Sequence, residues 1–349
     1  MNPFRIGLIG LGGMAQAHIR WMLEEDSFQF AAVSDVHGEA MAQAGDRLGI
    51  PESKRYADFQ ALIEDPDVDA VVSVTPNNVH ANIISCCLQA GKPFLSEKPF
   101  TLNFEEAIPL LELYEKRPVP AMLGFSYRYT PAFRYARQLV KSGRLGTVRH
   151  FSIQYLQGFG VPSRQVPYMW RYNKAITGTG ALGDLGSHMI DMARFLFGEF
   201  EEVSAQLQTI VPERRDPVTG AMAAIEVDDF ASFQARMTDD IMGVFQTSRN
   251  AFGSGNQHEV SIYSDLGAVH ATTLDPDRLV WIREEEAGQI SRVTLEVPQE
   301  SKVKQYADFA AVLRGTSPDG VPGFMDGYRN QEVLDAIVRA NETKTVIRL

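Results

Sequence analysis

"FRIGLIGLGGMA", residues 4–15, decides how this 349-residue chain is read. A short apolar run passes into Gly10-Leu11-Gly12-Gly13-Met14-Ala15, a G-x-G-x-x-A pattern, and then into helical spacing over "MAQAHIRWMLEED" (14–26). A glycine turn between strand and helix lets backbone approach a pyrophosphate and aims the first helical N–H groups at its oxygens. Glycine turns are common, so context has to carry the reading. The next strand, "FQFAAVSD" (28–35), ends in Asp35, where a carboxylate can hold ribose hydroxyls and repel a 2′-phosphate. Val36 and His37 follow, with no arginine beside the aspartate. The stretch therefore predicts a dinucleotide site that takes NAD in preference to NADP, built on Gly10, Gly12, Gly13, Met14, Ala15 and Asp35.

Outward from that stretch, short apolar runs alternate with helical patterns as far as residue 124: "HGEAMAQAGDRLGI", "YADFQALIED", "DAVVSVTP", "VHANIISCCLQAG", "PFLSEKP", "NFEEAIPLLELYEKR" and "PAMLGFS". Strand–helix alternation with continuously apolar strands predicts a doubly wound parallel sheet covered on both faces. From about residue 125 the texture changes. After a helix at "TPAFRYARQLVKSG" come longer stretches of period-two alternation, among them "VRHFSIQYLQ", "EEVSAQLQTIV", "DDFASFQARM", "MGVFQTSRN", "HEVSIYSD" and "RLVWIREEE". These predict a large, open, mostly antiparallel sheet covered on one face, with helices at 182–197 and near the C-terminus. The expected organisation is α/β: residues 1–124 as a dinucleotide-binding domain and 125–349 as a second, α+β domain, to which the resemblance described below assigns substrate binding and oligomerisation.

Composition narrows the function. A hydrophobic content of 44% and a charged content of 22% fit a folded globular protein. A net charge of −11, without a basic run, argues against nucleic acid as a partner. The two cysteines, Cys86 and Cys87, are adjacent and make no disulfide framework. No run of about 20 apolar residues spans a membrane, and the start lacks the apolar core of an export signal. A cytoplasmic location is expected.

Two further places carry acid–base groups. Lys98, in "SEKPF" (96–100), ends a predicted parallel strand, the edge at which α/β sheets bind ligands, and Pro99 restricts its backbone. In "GTGALGDLGSHMIDMARFLFG" (178–198), Asp184, His188 and Asp191 fall within about 40° on one helix face at about 100° per residue. Asp and His one turn apart also suit metal ligation, but no third ligand with recognisable spacing accompanies them, so no metal is expected.

"GLIGLGGMAQAH", "VSVTPNNVHANI", "AGKPFLSEKP", "GFSYRYTPAF" and the 178–198 segment, in this order, make the chain resemble the Gfo/Idh/MocA oxidoreductases over nearly its whole length. The resemblance implies an N-terminal Rossmann domain, an open-sheet C-terminal domain and an active site between the two. It implies Lys98, Asp184 and His188 as the catalytic group, and Thr75, Pro76, Asn77 and His80, with Glu97 and Lys98, beside the cofactor. It also implies oxidation or reduction of a hydroxyl-bearing carbon of a sugar, an inositol-type polyol or an anhydrosugar, and a homodimer or homotetramer assembled through the C-terminal sheet. In such a reaction His188 suits the hydroxyl proton, because imidazole titrates near neutral pH, and Lys98 suits the developing alkoxide. Asp184 can hold a neighbouring hydroxyl. "VPYMWRYNKAITGTG" (166–180) offers Tyr168, Trp170, Arg171, Tyr172 and Asn173 as a substrate wall, with Tyr127 and Arg128 as further candidates. Two other readings stay open at this point: a glycosidase that retains NAD and uses transient oxidation, and a non-catalytic dinucleotide sensor.

Overall fold

The computed structural model describes residues 2–349, apart from the side chain of Ala287. The chain divides into two compact units: Met1–Phe125 with Lys304–Tyr328, and Ser126–Val303 with Arg329–Leu349.

The first unit is built on β1 (Phe4–Ile9), α1 (Gly13–Leu23), β2 (Phe28–Ser34), α2 (Gly38–Leu48), β3 (Arg55–Tyr56), α3 (Phe59–Glu64), β4 (Ala70–Ser73), α4 (His80–Ala90), β5 (Phe94–Ser96), α5 (Phe104–Lys116) and β6 (Ala121–Leu123). The strands form one parallel sheet in the order β3-β2-β1-β4-β5-β6, with the order reversing between β1 and β4. Residues of β4 and β5 such as Val71, Val72 and Leu95 are fully buried, as a sheet covered on both faces requires.

Strand register places the chemistry at one edge. Ile9 pairs with Ser34 and Ser73, Ser73 with Ser96, and Ser96 with Leu123. The next residues continue the ladder: Gly10 N–H donates to Ser34 O (2.9 Å), Val74 N–H to Ile9 O (2.8 Å), Glu97 N–H to Ser73 O (3.0 Å) and Gly124 N–H to Ser96 O (2.8 Å). Gly10, Asp35, Thr75 and Lys98 therefore all leave the sheet at its carboxyl end, beside the switch point, where such sheets bind ligands.

In the second unit α6 (Pro131–Lys141), β7 (Val148–Gln157), α7 (Lys174–Thr177), α8 (Ser187–Phe197), β8 (Phe200–Gln208), β9 (Glu213–Arg215), β10 (Met222–Ala224), β11 (Phe230–Met237), β12 (Met242–Ser248), β13 (Asn256–Ser264), β14 (Gly267–Thr272), β15 (Arg278–Glu284) and β16 (Ile290–Glu296) follow in order. After α9 (Gln305–Leu313) and α10 (Phe324–Thr343), β17 (Ile347–Arg348) closes a nine-stranded sheet ordered β16-β15-β14-β13-β7-β12-β11-β8-β17. Its pairs are antiparallel except β12 with β7. Phe133 and Leu139 of α6, Met189 and Ile190 of α8, and Leu334 and Ile337 of α10 pack against Phe151, Ile153, Phe233, Phe245 and Ile262 of the sheet. On β12, Gly243 and Phe245 are buried and alternate with the exposed Met242 and Val244, so the opposite face stays open.

A single cut after residue 124 needs correction, because residues 304–328 return to the first unit. The return is held by aromatic burial. Tyr306 and Phe309 of α9 pack on Phe28 (ring centroids 5.7 and 5.9 Å), and Phe324 stacks on Tyr114 (4.0 Å) and meets Phe100 edge-on (5.1 Å). Leu123 N–H donates to Pro322 O (2.9 Å), fixing the returning chain beside β6.

Candidate active site

The glycine turn after β1 is shaped for a ligand. Gly10 has φ +83°, and a Cβ there would come 2.6 Å from Val74 O, so a side chain is barred by both conformation and space. A Cβ at Gly12 or Gly13 would meet nothing within 4 Å. Gly12 is the N-cap of α1 and offers no side-chain acceptor, so the first-turn N–H groups face that open space. Asp35 latches the turn from the end of β2: Oδ2 accepts from Leu11 N–H (2.7 Å) and Oδ1 from His37 N–H (2.8 Å). Val36, His37, Gly38, Glu39 and Gln43 line a cavity beyond it, adding a second carboxylate and no lysine or arginine among the described residues. Uncapped amides, room for a phosphate and a latched carboxylate fit a pyrophosphate and an unphosphorylated ribose. Asp35→Ser is expected to weaken NAD binding at least about tenfold and to narrow the gap between NAD and NADP, measured by fluorescence titration of the reduced forms; about 1.4 kcal/mol corresponds to each tenfold.

The loops after β4 and β5 lie on the same edge. Thr75 and Pro76 leave β4, and Asn77 opens the 3₁₀ turn Asn77–Val79 that leads into α4. The ring of His80 is wholly buried, its Nδ1 2.7 Å from Pro99 O and its Nε2 3.0 Å from Thr75 O. Burial pushes its pKa down, and the two carbonyls oppose this. His80 thus ties the two loops together, and its ring faces those loops where a cofactor contact was expected. The Lys98–Pro99 peptide is cis. Glu97, also expected at the cofactor, is turned inward: its carboxylate accepts from His18 Nε2 (2.9 Å) and from Lys98 N–H (3.2 Å).

In the second unit, the helix carrying Asp184 and His188 starts with a π turn over Leu182–Gly186 before α8. Single π turns inside α-helices are frequent at functional sites. Asp228 anchors it. Its carboxylate accepts from Gly180 N–H and Leu182 N–H, both at 2.7 Å, and its carbonyl from Ala181 N–H (2.8 Å). A Cβ at Gly180 would lie 1.8 Å from that carbonyl oxygen, so only glycine fits. Burial raises the pKa of Asp228, while the two amides favour its ionised form.

Asp184 is held by Arg249, whose Nη2 lies 2.9 Å from Oδ2. Arg249 is 1% exposed, donates also to Gly180 O (3.1 Å), and sits over the rings of Phe159 and Tyr172. His188 meets the edge of Tyr127 at 4.7 Å. Beside it runs a closed ring of hydrogen bonds. Asn256 Nδ2 donates to Tyr127 Oη (2.7 Å), and Tyr155 Oη donates to Asn256 Oδ1 (2.6 Å). Those two directions leave the Tyr127 hydroxyl to donate to Tyr155 Oη (2.6 Å). Gln157 Nε2 donates to the same Asn256 oxygen at 2.7 Å. Burial, then the charge and hydroxyl of Tyr127 and the charge of Asp184, hold the Tyr155 phenol well above its usual range, so it stays protonated.

The remaining candidates separate. Asp191, the third member of the expected helix face, accepts from Arg128 Nε (2.8 Å) and Nη2 (2.6 Å) in a buried pair. Arg128 is 4% exposed and lies over Phe195, so it braces the fold where a substrate contact was expected. Tyr172 is enclosed between Arg214 (4.6 Å) and Arg249 (6.0 Å), and Asn173 accepts from Ala175 N–H (2.9 Å) to cap α7. Trp170 stays 38% exposed with Arg171 over its ring (4.5 Å), and Tyr168 is half-buried against Tyr172. Arg249, Tyr155, Gln157 and Asn256 were not anticipated. The one signal for them is polar residues at the ends of β7, β12 and β13.

Behind the hydroxyl ring lies His258, fully buried, stacked on Tyr155 (5.1 Å) and edge-on to Tyr127 (5.0 Å), neither ring nitrogen having a hydrogen-bond partner among the described residues. Burial pushes its pKa down to about 3. With the folded pKa below the unfolded value of about 6.5, the unfolded chain alone binds this proton between those limits. Stability is therefore full above about pH 6.5 and is lost as pH falls toward 3, by up to about 1.4 kcal/mol per pH unit. His258→Phe is expected to remove about 2 kcal/mol of the loss between pH 7.5 and 5, read as a smaller Tm drop. An unchanged drop would place the acid sensitivity elsewhere.

Residues 4–125 match the model of the oxidoreductase family with an NAD-binding Rossmann fold, and residues 133–270 match the GFO/IDH/MocA C-terminal domain. Levoglucosan dehydrogenase of Pseudarthrobacter phenanthrenivorans is 30% identical over 97% of this chain and 96% of its own length. Myo-inositol 2-dehydrogenase of Thermotoga maritima is 27% identical over 91% of each chain. The solved structure of a levoglucosan dehydrogenase in complex with NADH and L-sorbose superposes with a TM-score of 0.91 at 29% identity, covering 100% of this chain and 99% of that one. With a Rossmann sheet that presents a glycine turn and Asp35, and an open sheet beneath a helix that carries Asp184 and His188, this chain belongs to the GFO/IDH/MocA family of NAD-binding oxidoreductases. No helix among the described residues is long and apolar enough to cross a membrane.

Proposed function

We propose that the protein oxidises a secondary hydroxyl of an anhydrosugar, a free sugar or an inositol-type polyol, with Lys98, Asp184 and His188 as its catalytic residues. The observation that carries the proposal is the Asp184–Arg249 pair beside His188 and the hydroxyl ring of Tyr127, Tyr155 and Asn256. This is an arrangement of acceptors and donors suited to a polyhydroxylated ring. The names of the relatives support the substrate class.

NAD, when bound, supplies the hydride acceptor. His188 takes the hydroxyl proton: its Nδ1 is buried, so Nε2 is the nitrogen assigned to substrate. Lys98 opposes negative charge on the reacting oxygen. Asp184, oriented by the guanidinium of Arg249, accepts from a neighbouring hydroxyl and fixes the ring. Trp170, the most exposed aromatic of its segment, covers a C–H face of the sugar.

The open face of the nine-stranded sheet, with Met242 and Val244 exposed, supports a homodimer or homotetramer formed there, and light scattering measures it. The free thiols of Cys86 and Cys87 fit the cytoplasm. The functional test is a panel of anhydrosugars, inositols, aldoses and aryl glycosides with NAD, following reduced nicotinamide and aglycone in parallel. NADH formation without aglycone release is the expected result. Aglycone release without net NADH would replace the dehydrogenase reading by a redox-assisted glycosidase.

A further inference from the structure

We propose that Tyr306, His18 and Glu97 form a buried positioning relay for Lys98, an inference that rests on the reading of Lys98 as the cation at the reacting oxygen. The three residues come from distant parts of the chain: His18 from the inner face of α1, Glu97 from the end of β5, and Tyr306 from the returning α9. His18 is 0%, Tyr306 1% and Glu97 8% exposed. Glu97 Oε1 is 2.9 Å from His18 Nε2, and Oε2 accepts from the backbone N–H of Lys98 at 3.2 Å. His18 Nδ1 is 2.6 Å from Tyr306 Oη.

The chemistry fixes the direction of the bonds to the carboxylate. An ionised carboxylate only accepts, so Nε2 of His18 carries a proton. Nδ1 meets the Tyr306 hydroxyl on the other side of the ring, so the imidazole is bonded at both nitrogens. The Glu97 carboxyl remains ionised in this setting: burial opposes ionisation, but the His18 bond and the nearby charges of His18 and Lys98 hold its pKa below the usual range. The backbone completes the box. A Cβ at Gly124, just past β6, would stand 2.5 Å from Glu97 Oε1 and 3.1 Å from its Cα, so a glycine there makes room for the carboxylate.

A carboxylate and an imidazole buried together are a poor source of stability, because well-packed apolar side chains of similar volume serve as well or better. What the relay provides is a fixed orientation for residue 97, and through the Lys98 amide a fixed start for the lysine side chain. It also gives the return of residues 304–328 a function beyond packing. The segment delivers a hydroxyl from α9 to the imidazole that holds the carboxylate adjoining Lys98.

The test uses the full-length protein, the sugar that turns over in the panel, and the substitutions Tyr306→Phe, His18→Leu and His18→Gln, each alone and combined with Lys98→Ala. Alone, Tyr306→Phe and His18→Leu are expected to lower kcat about 10- to 100-fold, the effect of misplacing a catalytic group by up to about an ångström. NADH affinity by fluorescence titration should stay within about threefold, because the glycine turn and Asp35 are untouched. His18→Gln, which puts an amide N–H in place of Nε2, should recover most of kcat. In the Lys98→Ala background the same substitutions should change turnover less than about twofold, since nothing is left to position. Full, additive losses in that background, or wild-type kcat in folded Tyr306→Phe while Lys98→Ala is impaired, overturn the relay. Wild-type turnover in Lys98→Ala alone overturns the reading of Lys98, and the relay with it. Tyr306→Phe removes one oxygen, so the test stands even where His18→Leu fails to fold.

Discussion

His188→Ala slows oxidation of the sugar about 10²- to 10⁴-fold, the usual contribution of a positioned general base, and leaves NADH affinity nearly unchanged. Neither Tyr155 nor His258 is placed to take over the proton. The Tyr155 phenol is held protonated by burial, by Tyr127 and by the charge of Asp184, and its hydroxyl already donates to Asn256. His258 is nearby but enclosed, with Tyr155 stacked on its face and Tyr127 and Phe133 edge-on to it. Stopped-flow measurement of NADH formation against pH checks this. The variant should lose rate throughout and lose the limb of the wild-type profile that reports imidazole titration. A folded His188→Ala protein with kcat within tenfold of wild type would remove His188 from the proton transfer.

Lys98→Ala lowers kcat/KM about 10²- to 10³-fold, the scale for removing one group that stabilises developing negative charge. The loss should fall mainly on kcat, because cofactor binding depends on the glycine turn after β1 and on Asp35 after β2. Lys98→Arg should not restore it. A planar guanidinium places its donors differently from a compact ammonium, and the backbone at this position is held by Glu97 and by the loop that His80 fastens. Steady-state kinetics with a NADH titration of each variant separates the two effects. Wild-type kcat in Lys98→Ala would exclude charge stabilisation by this residue.

The fold was legible wherever local pattern suffices. "FRIGLIG" and "DAVVSVTP" read as buried strands because both of their faces are covered, and "VRHFSIQYLQ" alternates because one face of β7 carries the core. The missed features depend on residues far apart in sequence. The helix at "QYADFAAVL" was not anticipated, and its docking on the first unit depends on Phe28. The π turn at 182–186 depends on Asp228, dozens of residues away, and on the lack of a Cβ at Gly180. Helical periodicity put Asp184, His188 and Asp191 on one face but could not show that Arg128 takes Asp191 into a buried pair while Arg249 takes Asp184. Likewise, "EKP" marked the lysine but hid the turn of Glu97 toward His18.

The central claim is oxidation of a sugar carbinol, and the most direct measurement follows the carbinol hydrogen. The protein, NAD and a substrate from the panel deuterated at the reacting carbon are incubated, and the reduced cofactor and the sugar product are analysed by mass spectrometry. The account predicts one deuterium on the nicotinamide ring for each keto sugar formed. Sugar product without deuterated cofactor would contradict it.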